Sequence, residues 1–105
     1  MDHRLLIDVI PDGHAVTLVL HGEMDQSSVG ALRACLYNLD GEWRSVVLEM
    51  AGVRFIDSSG VGLLIQATRD FAVDFRGFEL RNVQDEVQRV LELSGAAEFM
   101  PTSPR

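Results

Sequence analysis

Lysine is absent from this chain, and cysteine, tryptophan and tyrosine each occur once among its 105 residues. Without lysine, the chain has no P-loop lysine, no Schiff-base lysine and no kinase-type phosphate-binding lysine. Because Cys35 has no second cysteine to pair with, no intramolecular disulfide forms and nothing indicates an oxidising compartment. One cysteine and three scattered histidines lack the spacing of metal ligands, so we expect neither a metal site nor a cofactor.

Long hydrophobic runs are also missing. The longest apolar stretch, around Val61 to Ile65, is far too short to span a bilayer. The opening residues, Met1-Asp2-His3-Arg4, do not have the pattern of a secretion signal. We therefore expect a cytoplasmic protein without direct membrane insertion.

Positive charge is scarce, because nine basic residues stand against sixteen acidic ones and the formal net charge is −7. Binding to a phosphate backbone needs a clustered basic patch, so we expect no nucleic-acid partner. The hydrophobic fraction of 47% is ordinary for a globular domain. We expect a single domain over residues 1–100 and a loose tail over residues 101–105. Nothing indicates an obligate dimer, so we expect a monomer when the protein is free.

The amino-terminal part of the sequence predicts an antiparallel hairpin. Leu5–Ile10 and Ala15–Leu20 have the apolar alternation of strands. Pro11-Asp12-Gly13-His14 between them is typical of a turn, with proline at its second position. Gly22-Glu23-Met24-Asp25 then breaks the strand pattern.

From Ser27 onward, apolar residues recur at the spacing of a helix, so we expect a first helix here. Asp25 or Ser27 can cap its start, and Gly41 lies just past its end, where a left-handed residue is expected. Cys35 lies beside the apolar stripe, and we expect it to be a small, half-buried side chain.

The middle of the chain predicts a central strand over Ser45–Met50, because its nearly unbroken apolar character suits burial on both faces. Residues 51–56 are expected to form a short connection. A second, amphipathic helix follows Asp57-Ser58-Ser59-Gly60. Phe78-Glu79-Leu80 is a fourth, short strand.

A third helix is expected after that strand. Asn82 is its predicted N-cap, with Asp85 as the partner acid of a capping box, and Gly95 ends it. Glu98-Phe99-Met100 is a candidate edge strand. Strands and helices alternate after the hairpin, which predicts an α/β fold. It has a mostly parallel β-sheet, an N-terminal antiparallel hairpin and about three helices.

The segment Asp57-Ser58-Ser59-Gly60-Val61-Gly62 forms the start of the second helix, where unpaired N–H groups favour negative charge. Asp57 or Ser58 can serve as the N-cap. A cap does not explain Gly60 and Gly62, since each helical glycine costs roughly 1 kcal/mol relative to alanine. The expected reason is close approach of another backbone, so the segment is interpreted as an interaction surface.

These motifs resemble those of STAS domains and, more narrowly, of bacterial anti-sigma factor antagonists. The resemblance covers nearly the whole chain. Its motifs are Gly22-Glu23-Met24-Asp25, Val46–Met50, Phe55-Ile56, the segment Asp57–Gly62 and Leu93-Ser94-Gly95.

The resemblance implies a regulatory role without catalysis. An unphosphorylated antagonist of this family binds an anti-sigma factor, often a serine kinase of the histidine-kinase-like ATPase type, which then releases its sigma factor. That kinase phosphorylates the serine matching Ser58 and blocks binding, and a metal-dependent serine phosphatase reverses the modification. The implied partner-binding residues are Glu23, Asp25, Asp57, Ser58, Ser59, Gly60, Val61 and Gly62.

Two other functions remain open from the sequence. Some STAS domains are constitutive scaffolds or accessory subunits of larger assemblies, such as a lipid transporter or a stress-sensing complex. The enzyme alternative is a serine hydrolase, but the Gly-x-Ser-x-Gly elbow is absent around Ser58. The histidines, His3, His14 and His21, all lie in the hairpin region and form no recognisable triad.

Overall fold

A computed structural model describes residues 4–39, 43–98, 100 and 102–103. Among these residues, no helix has both the length and the apolar character needed to cross a membrane. The elements, in chain order, are β1 (Leu6–Asp12), β2 (Ala15–Met24), α1 (Val29–Tyr37), β3 (Ser45–Ile56), α2 (Ser58–Val73), β4 (Gly77–Arg81), α3 (Asp85–Leu93), a 3₁₀ turn (Ala96–Glu98) and β5 (Thr102–Ser103).

The strands form one five-stranded sheet in the order β1-β2-β3-β4-β5. β1 pairs antiparallel with β2, and the remaining neighbours are parallel. The predicted architecture is therefore confirmed. Strand β3 occupies the centre, and its residues Val46, Leu48 and Met50 are fully buried, as the apolar run predicted.

Helices α1 and α2 pack side by side on the sheet through an apolar interior and a polar rim. Leu32 and Leu36 of α1 are buried in the same core as Leu64 of α2. At the rim, the Tyr37 hydroxyl donates a 2.6 Å hydrogen bond to Asp70. Desolvation, together with that bond, raises the pKa of Tyr37 to about 12. These contacts fix α2 above the sheet and so determine where its first turn points.

The hairpin differs from its prediction at the turn. Pro11 and Asp12 belong to β1 and lie opposite Val16 and Ala15. The two-residue loop is therefore Gly13-His14, and Gly13 takes the positive φ of +60°. Proline is tolerated within β1 because this strand lies at the edge of the sheet, where only one neighbour needs its N–H groups.

Strands β2 and β3 are both longer than predicted. Gly22-Glu23-Met24 does not break β2, which runs to Met24, and residues 51–56 continue β3 rather than connecting it to α2. Irregularities in the β2–β3 register accommodate Gly22, whose φ is +126°. The extended pairing places Glu23 opposite Phe55 and Met24 opposite Ile56. Both strands therefore extend as far as the chain segments that lead into α1 and α2.

The start of α3 also corrects a prediction. Asn82 is not its N-cap, because Gln84 holds that position and α3 begins at Asp85. Asn82 instead adopts a positive φ of 55° and donates its amide to both Glu49 carboxylate oxygens at 3.0 Å. Gly95, with φ of +83°, follows the helix as predicted.

The carboxyl-terminal residues differ from their prediction as well. Glu98 lies in a 3₁₀ turn rather than an edge strand, and Phe99 is outside the described residues. The edge strand is formed by Thr102 and Ser103, which pair with Leu80 and Arg81. These two residues are thus not part of a loose tail. Gly41, the predicted end of the first helix, also lies outside the described residues.

Candidate functional site

Two loops meet at the carboxyl ends of β2 and β3, which are adjacent because the strands are parallel. The first loop joins β2 to α1 through Asp25–Ser28, and the second is the junction at Asp57 between β3 and α2. The Asp57 N–H donates to the Met24 carbonyl at 3.1 Å. Residues separated by about thirty positions in the chain therefore form one surface.

Asp57 holds this surface together. One carboxylate oxygen, Oδ1, accepts from the N–H groups of Ser59 at 2.9 Å and Gly60 at 3.2 Å, so Asp57 rather than Ser58 caps α2. Its other oxygen, Oδ2, accepts from the Gln26 N–H in the first loop at 3.2 Å. A single side chain therefore satisfies two orphan donors of the helix and fixes the neighbouring loop.

The first loop is a compact turn built around Asp25 and Ser28. Asp25 Oδ1 accepts from the Ser27 hydroxyl at 2.7 Å and from the N–H groups of Ser27 and Ser28 at 3.0 and 3.1 Å. The hydrogen bond from the Ser27 side chain is the largest cause that lowers the pKa of Asp25. The buried Ser28 hydroxyl donates to the Glu23 carbonyl at 2.6 Å. Asp25 thus presents an ionised carboxylate beside the start of α2.

The backbone places the N-cap of α1 at Ser28, later than the predicted Asp25 or Ser27, and Ser28 makes no side-chain capping bond. Asp25 nevertheless contributes to the start of α1, because its backbone carbonyl accepts from the N–H groups of Ser28 and Val29. The sequence interpretation missed Ser28 as a structural residue. Its signal was present, since Asp and Ser side chains commonly bond nearby backbone groups in turns.

Ser58 is the first residue of α2, and its side chain is exposed. Within the described part of the chain, its hydroxyl makes no hydrogen bond. Ser59 behind it is half-buried. The Ser58 hydroxyl is therefore available for chemistry or contact at a helix end whose dipole favours negative charge.

The two glycines of α2 have different explanations. A Cβ on Gly60 would lie 2.6 Å from Ile56 Cγ1 and 2.9 Å from the Met24 carbonyl oxygen. The backbone that approaches it therefore belongs to this chain and not to a partner. A Cβ on Gly62 would meet nothing within 4 Å. Of these two glycines, only Gly62 remains consistent with the close approach of a partner's backbone.

Val61 is buried in the core, with 7% of its surface exposed, and Gly60 is buried as well. Both residues therefore lie behind the exposed surface and shape it from within. Glu23 is half-buried, and its Oε2 lies 3.8 Å from Nε of Arg54, a residue that the sequence interpretation did not include. The parallel pairing of Glu23 with Phe55, which a sequence pattern does not reveal, creates this contact.

The histidines do not support a hydrolase. His14 lies in the hairpin loop at the start of β2, whereas Ser58 follows the far end of β3, so strand rise separates them by roughly 30 Å. His21 pairs with Gly52 within the sheet, and His3 lies outside the described residues. Neither described histidine is placed beside Ser58. The described residues also contain no group of three or more side chains that could hold a metal ion.

Comparison with known proteins identifies the family. Residues 7–105 match the family model of the STAS domain. The match covers nearly the whole chain, and the chain belongs to the STAS domain family.

Individual relatives agree with that assignment. The anti-sigma F factor antagonist of Lysinibacillus sphaericus is 29% identical over 87 residues, which span 81% of this chain and 74% of that protein. The structure of the anti-sigma factor antagonist SpoIIAA in its unphosphorylated form superposes with a TM-score of 0.76 at 24% identity, covering 95% of this chain and 90% of that one. The phosphorylated form of SpoIIAA, a Bacillus cell fate determinant, gives a TM-score of 0.68 at 23% identity, covering 96% and 92%. Both superpositions confirm the fold.

Proposed function

We propose that this protein is an anti-sigma factor antagonist controlled by phosphorylation of Ser58. Its unphosphorylated form binds an anti-sigma factor and frees the sigma factor, and phosphorylation blocks that binding. The observation that carries the proposal is the exposed Ser58 hydroxyl, which has no structural role among the described residues and lies at a helix N-terminus. Two findings support it: a relative named as an antagonist, and a structural neighbour solved in both phosphorylation states.

The position of Ser58 suits a reversible modification. The capping bonds of α2 are made by Asp57, so a phosphate on Ser58 displaces no hydrogen bond to the described residues. A helix N-terminus also accommodates anionic groups. We therefore expect phosphorylation to leave the fold intact.

The charge around Ser58 explains how a phosphate opposes docking. Asp57 is its chain neighbour, and Asp25 belongs to the loop that Asp57 binds. A phosphate adds about −1.5 to −2 charges to this acidic surface. In a contact face, like-charge crowding and desolvation then disfavour the complex. A shift from about 99% bound to 1% bound requires roughly 5.5 kcal/mol of differential affinity, and a buried dianion can supply most of it.

The proposal implies particular partners. The anti-sigma factor is a serine kinase of the histidine-kinase-like ATPase type, and a metal-dependent serine phosphatase restores the free hydroxyl. The protein itself acts in the cytoplasm as a non-enzymatic monomer. Its proposed contact residues are Glu23, Asp25, Asp57, Ser58, Ser59 and Gly62, supported from beneath by Gly60 and Val61.

A pull-down tests the proposal with wild type, Ser58→Ala and Ser58→Glu as baits, and the bound proteins are identified by mass spectrometry. Wild type and Ser58→Ala should retain an ATPase-type anti-sigma factor, and Ser58→Glu should lose it. Circular dichroism of all three proteins checks that folding is unchanged. Because glutamate imitates phosphate imperfectly, phosphoprotein made with the retained kinase is measured alongside.

The alternative function gives a different result. A constitutive STAS scaffold or accessory subunit would retain the same transporter or assembly component in all three states. That outcome would remove Ser58 phosphorylation from the mechanism.

A further inference from the structure

A groove of about 330 Å³ lies between the carboxyl end of β3 and helix α3. It opens beside the surface around Ser58, because β3 ends at Ile56 and α2 begins at Ser58. The lining residues are Arg54, Phe55 and Ile56 from β3 and Glu86, Val87, Arg89 and Val90 from α3. We call this feature the β3–α3 groove.

The floor of the β3–α3 groove is apolar. Ile56 and Val87 are buried, with 3% and 2% of their surfaces exposed, and Val90 is half-buried. Phe55 forms a wall and leaves 47% of its surface exposed. Isolated exposed apolar residues are common. Here the aromatic ring borders a concave apolar surface, which is the arrangement of an anchor site at protein interfaces.

The rim of the groove carries two arginines, one of them beside an acidic residue. Arg54 and Arg89 contribute two guanidinium groups, and Glu86 contributes one carboxylate. Arg54 is loosely paired with Glu23 at 3.8 Å, and its side chain is 68% exposed. Arg89 is exposed and makes no ion pair with another described residue. Because Glu23 offsets the charge of Arg54, the exposed Arg89 is the group at this rim that favours a carboxylate on the ligand.

The groove and the Ser58 surface are continuous. Phe55 lies opposite Glu23 in the sheet, and Glu23 contacts Arg54. Asp57 then links the end of β3 to the first loop through Gln26. Since Ile56 lines the groove and lies two residues before Ser58, a protein that covers Ser58 is within reach of the groove.

We propose that the β3–α3 groove is the second half of the partner-binding surface. Its occupant is a segment of the anti-sigma factor that inserts an apolar side chain against Phe55 and places flanking carboxylates on Arg54 and Arg89. The inference rests on the proposed function and specifies the chemistry of the partner. Contact at Ser58 makes binding of the anti-sigma factor sensitive to phosphorylation. Contact in the groove adds affinity that phosphorylation does not change.

The test measures affinity for the purified anti-sigma factor that wild type retains, using isothermal titration calorimetry. Phe55→Ala removes the anchor, and we expect a loss of about tenfold or more, as for aromatic hot spots. Arg89→Glu reverses the rim charge, and we expect a similar loss together with a weaker dependence on salt. Both side chains are exposed, so circular dichroism spectra and melting temperatures should stay close to wild type.

Matched controls are available at the opposite end of α2. Phe75→Ala changes a phenylalanine that is 94% exposed, and Arg69→Glu reverses an exposed arginine. Neither residue lines the groove. Both variants should bind within about twofold of wild type, which corresponds to a change of a few tenths of a kcal/mol in binding free energy, on the order given by RT ln 2.

The possible outcomes separate the two proposals. If Phe55→Ala and Arg89→Glu bind like the controls while Ser58→Glu loses binding, the groove is not part of the interface and the proposed function stands. If wild type binds no anti-sigma factor, the proposed function fails and the groove assignment fails with it. If only the groove variants lose affinity and Ser58→Glu does not, the groove is a docking site but phosphorylation is not the control.

Discussion

The carboxylate of Asp57 accepts three backbone N–H groups, two from α2 and one from the loop before α1. Its neighbour Ser58 contributes no side-chain hydrogen bond to the described residues and faces outward. Adjacent residues therefore have separate tasks, since one maintains the geometry of the surface and the other presents a hydroxyl from it. This separation makes distinct predictions for the two positions.

Asp57→Ala should lower the free energy of unfolding by about 1–2 kcal/mol, because it removes the N-cap of α2. The loss of the Gln26 contact should loosen the first loop as well. Urea denaturation measures the stability, with Ser58→Ala as the matched control, which we expect within about 0.5 kcal/mol of wild type. Equal destabilisation by the two substitutions would contradict this division of roles.

Sequence reasoning located this surface but could not assign its residues fully. It left Asp57 and Ser58 as alternative caps, because either residue type can accept the first N–H groups of a helix. The choice depends on backbone angles, and Asp57 has the extended conformation that a cap requires. Arg54 was missed because its contact with Glu23 depends on strand register, which the chain pattern does not give.

At the scale of one element, α2 contains two glycines that a sequence pattern cannot tell apart. Gly60 lies against Met24 and Ile56 at distances that exclude a methyl group without movement. Gly62 faces open space two residues later. The close approach inferred from the sequence is therefore real at Gly60, but it serves the packing of β2 and β3 beneath the helix.

Gly62→Ala should raise the free energy of unfolding by about 0.5–1 kcal/mol, because alanine is the better helix former. Gly60→Ala should lower it by about 1–3 kcal/mol through overpacking, since one of the clashing atoms is a backbone carbonyl. Thermal and urea unfolding of the two single variants measure whether each substitution raises or lowers the free energy of unfolding. A stabilising Gly60→Ala would show that the junction between β3 and α2 relaxes easily.

The bounds of the strands illustrate a different limit of sequence reasoning. The existence of β2 and β3 followed from their apolar runs, but their carboxyl-terminal extensions did not. Gly22, Glu23 and Gly52 interrupt the apolar pattern, and the pairing passes through them with irregular register. The prediction that Asn82 caps α3 was wrong for a similar reason. Asparagine suits a helix cap by residue type, but the amide of Asn82 binds Glu49 of β3.

For the whole molecule, the alternation of strands and helices after the hairpin predicts a mostly parallel sheet with an N-terminal antiparallel pair, and this prediction is confirmed. β3 lies between two parallel neighbours, whereas β1 pairs on one side alone and leaves Leu6, Val9 and Ile10 about half exposed. Stability should therefore decrease from the centre of the sheet to its β1 edge.

Native-state hydrogen exchange should show this gradient. Amides of β3 around Val46 and Leu48 should exchange most slowly, because their opening requires nearly global unfolding, and those of β1 should exchange faster. Mass spectrometry of peptides covering the two strands measures the difference. Equal protection of β1 and β3 would indicate that the edge is covered in solution.

The separation of tasks between Asp57 and Ser58 has a consequence for how such a protein changes over generations. A substitution at position 57 or 60 is filtered first by folding, whichever partner the protein serves. Under the proposed function, a substitution at position 58 is expected to leave the fold unaffected and to be filtered by the partner alone. Drift at that single position could therefore convert a modifiable domain into a permanently bound or permanently free one, while the rest of the sequence remained under the same constraints.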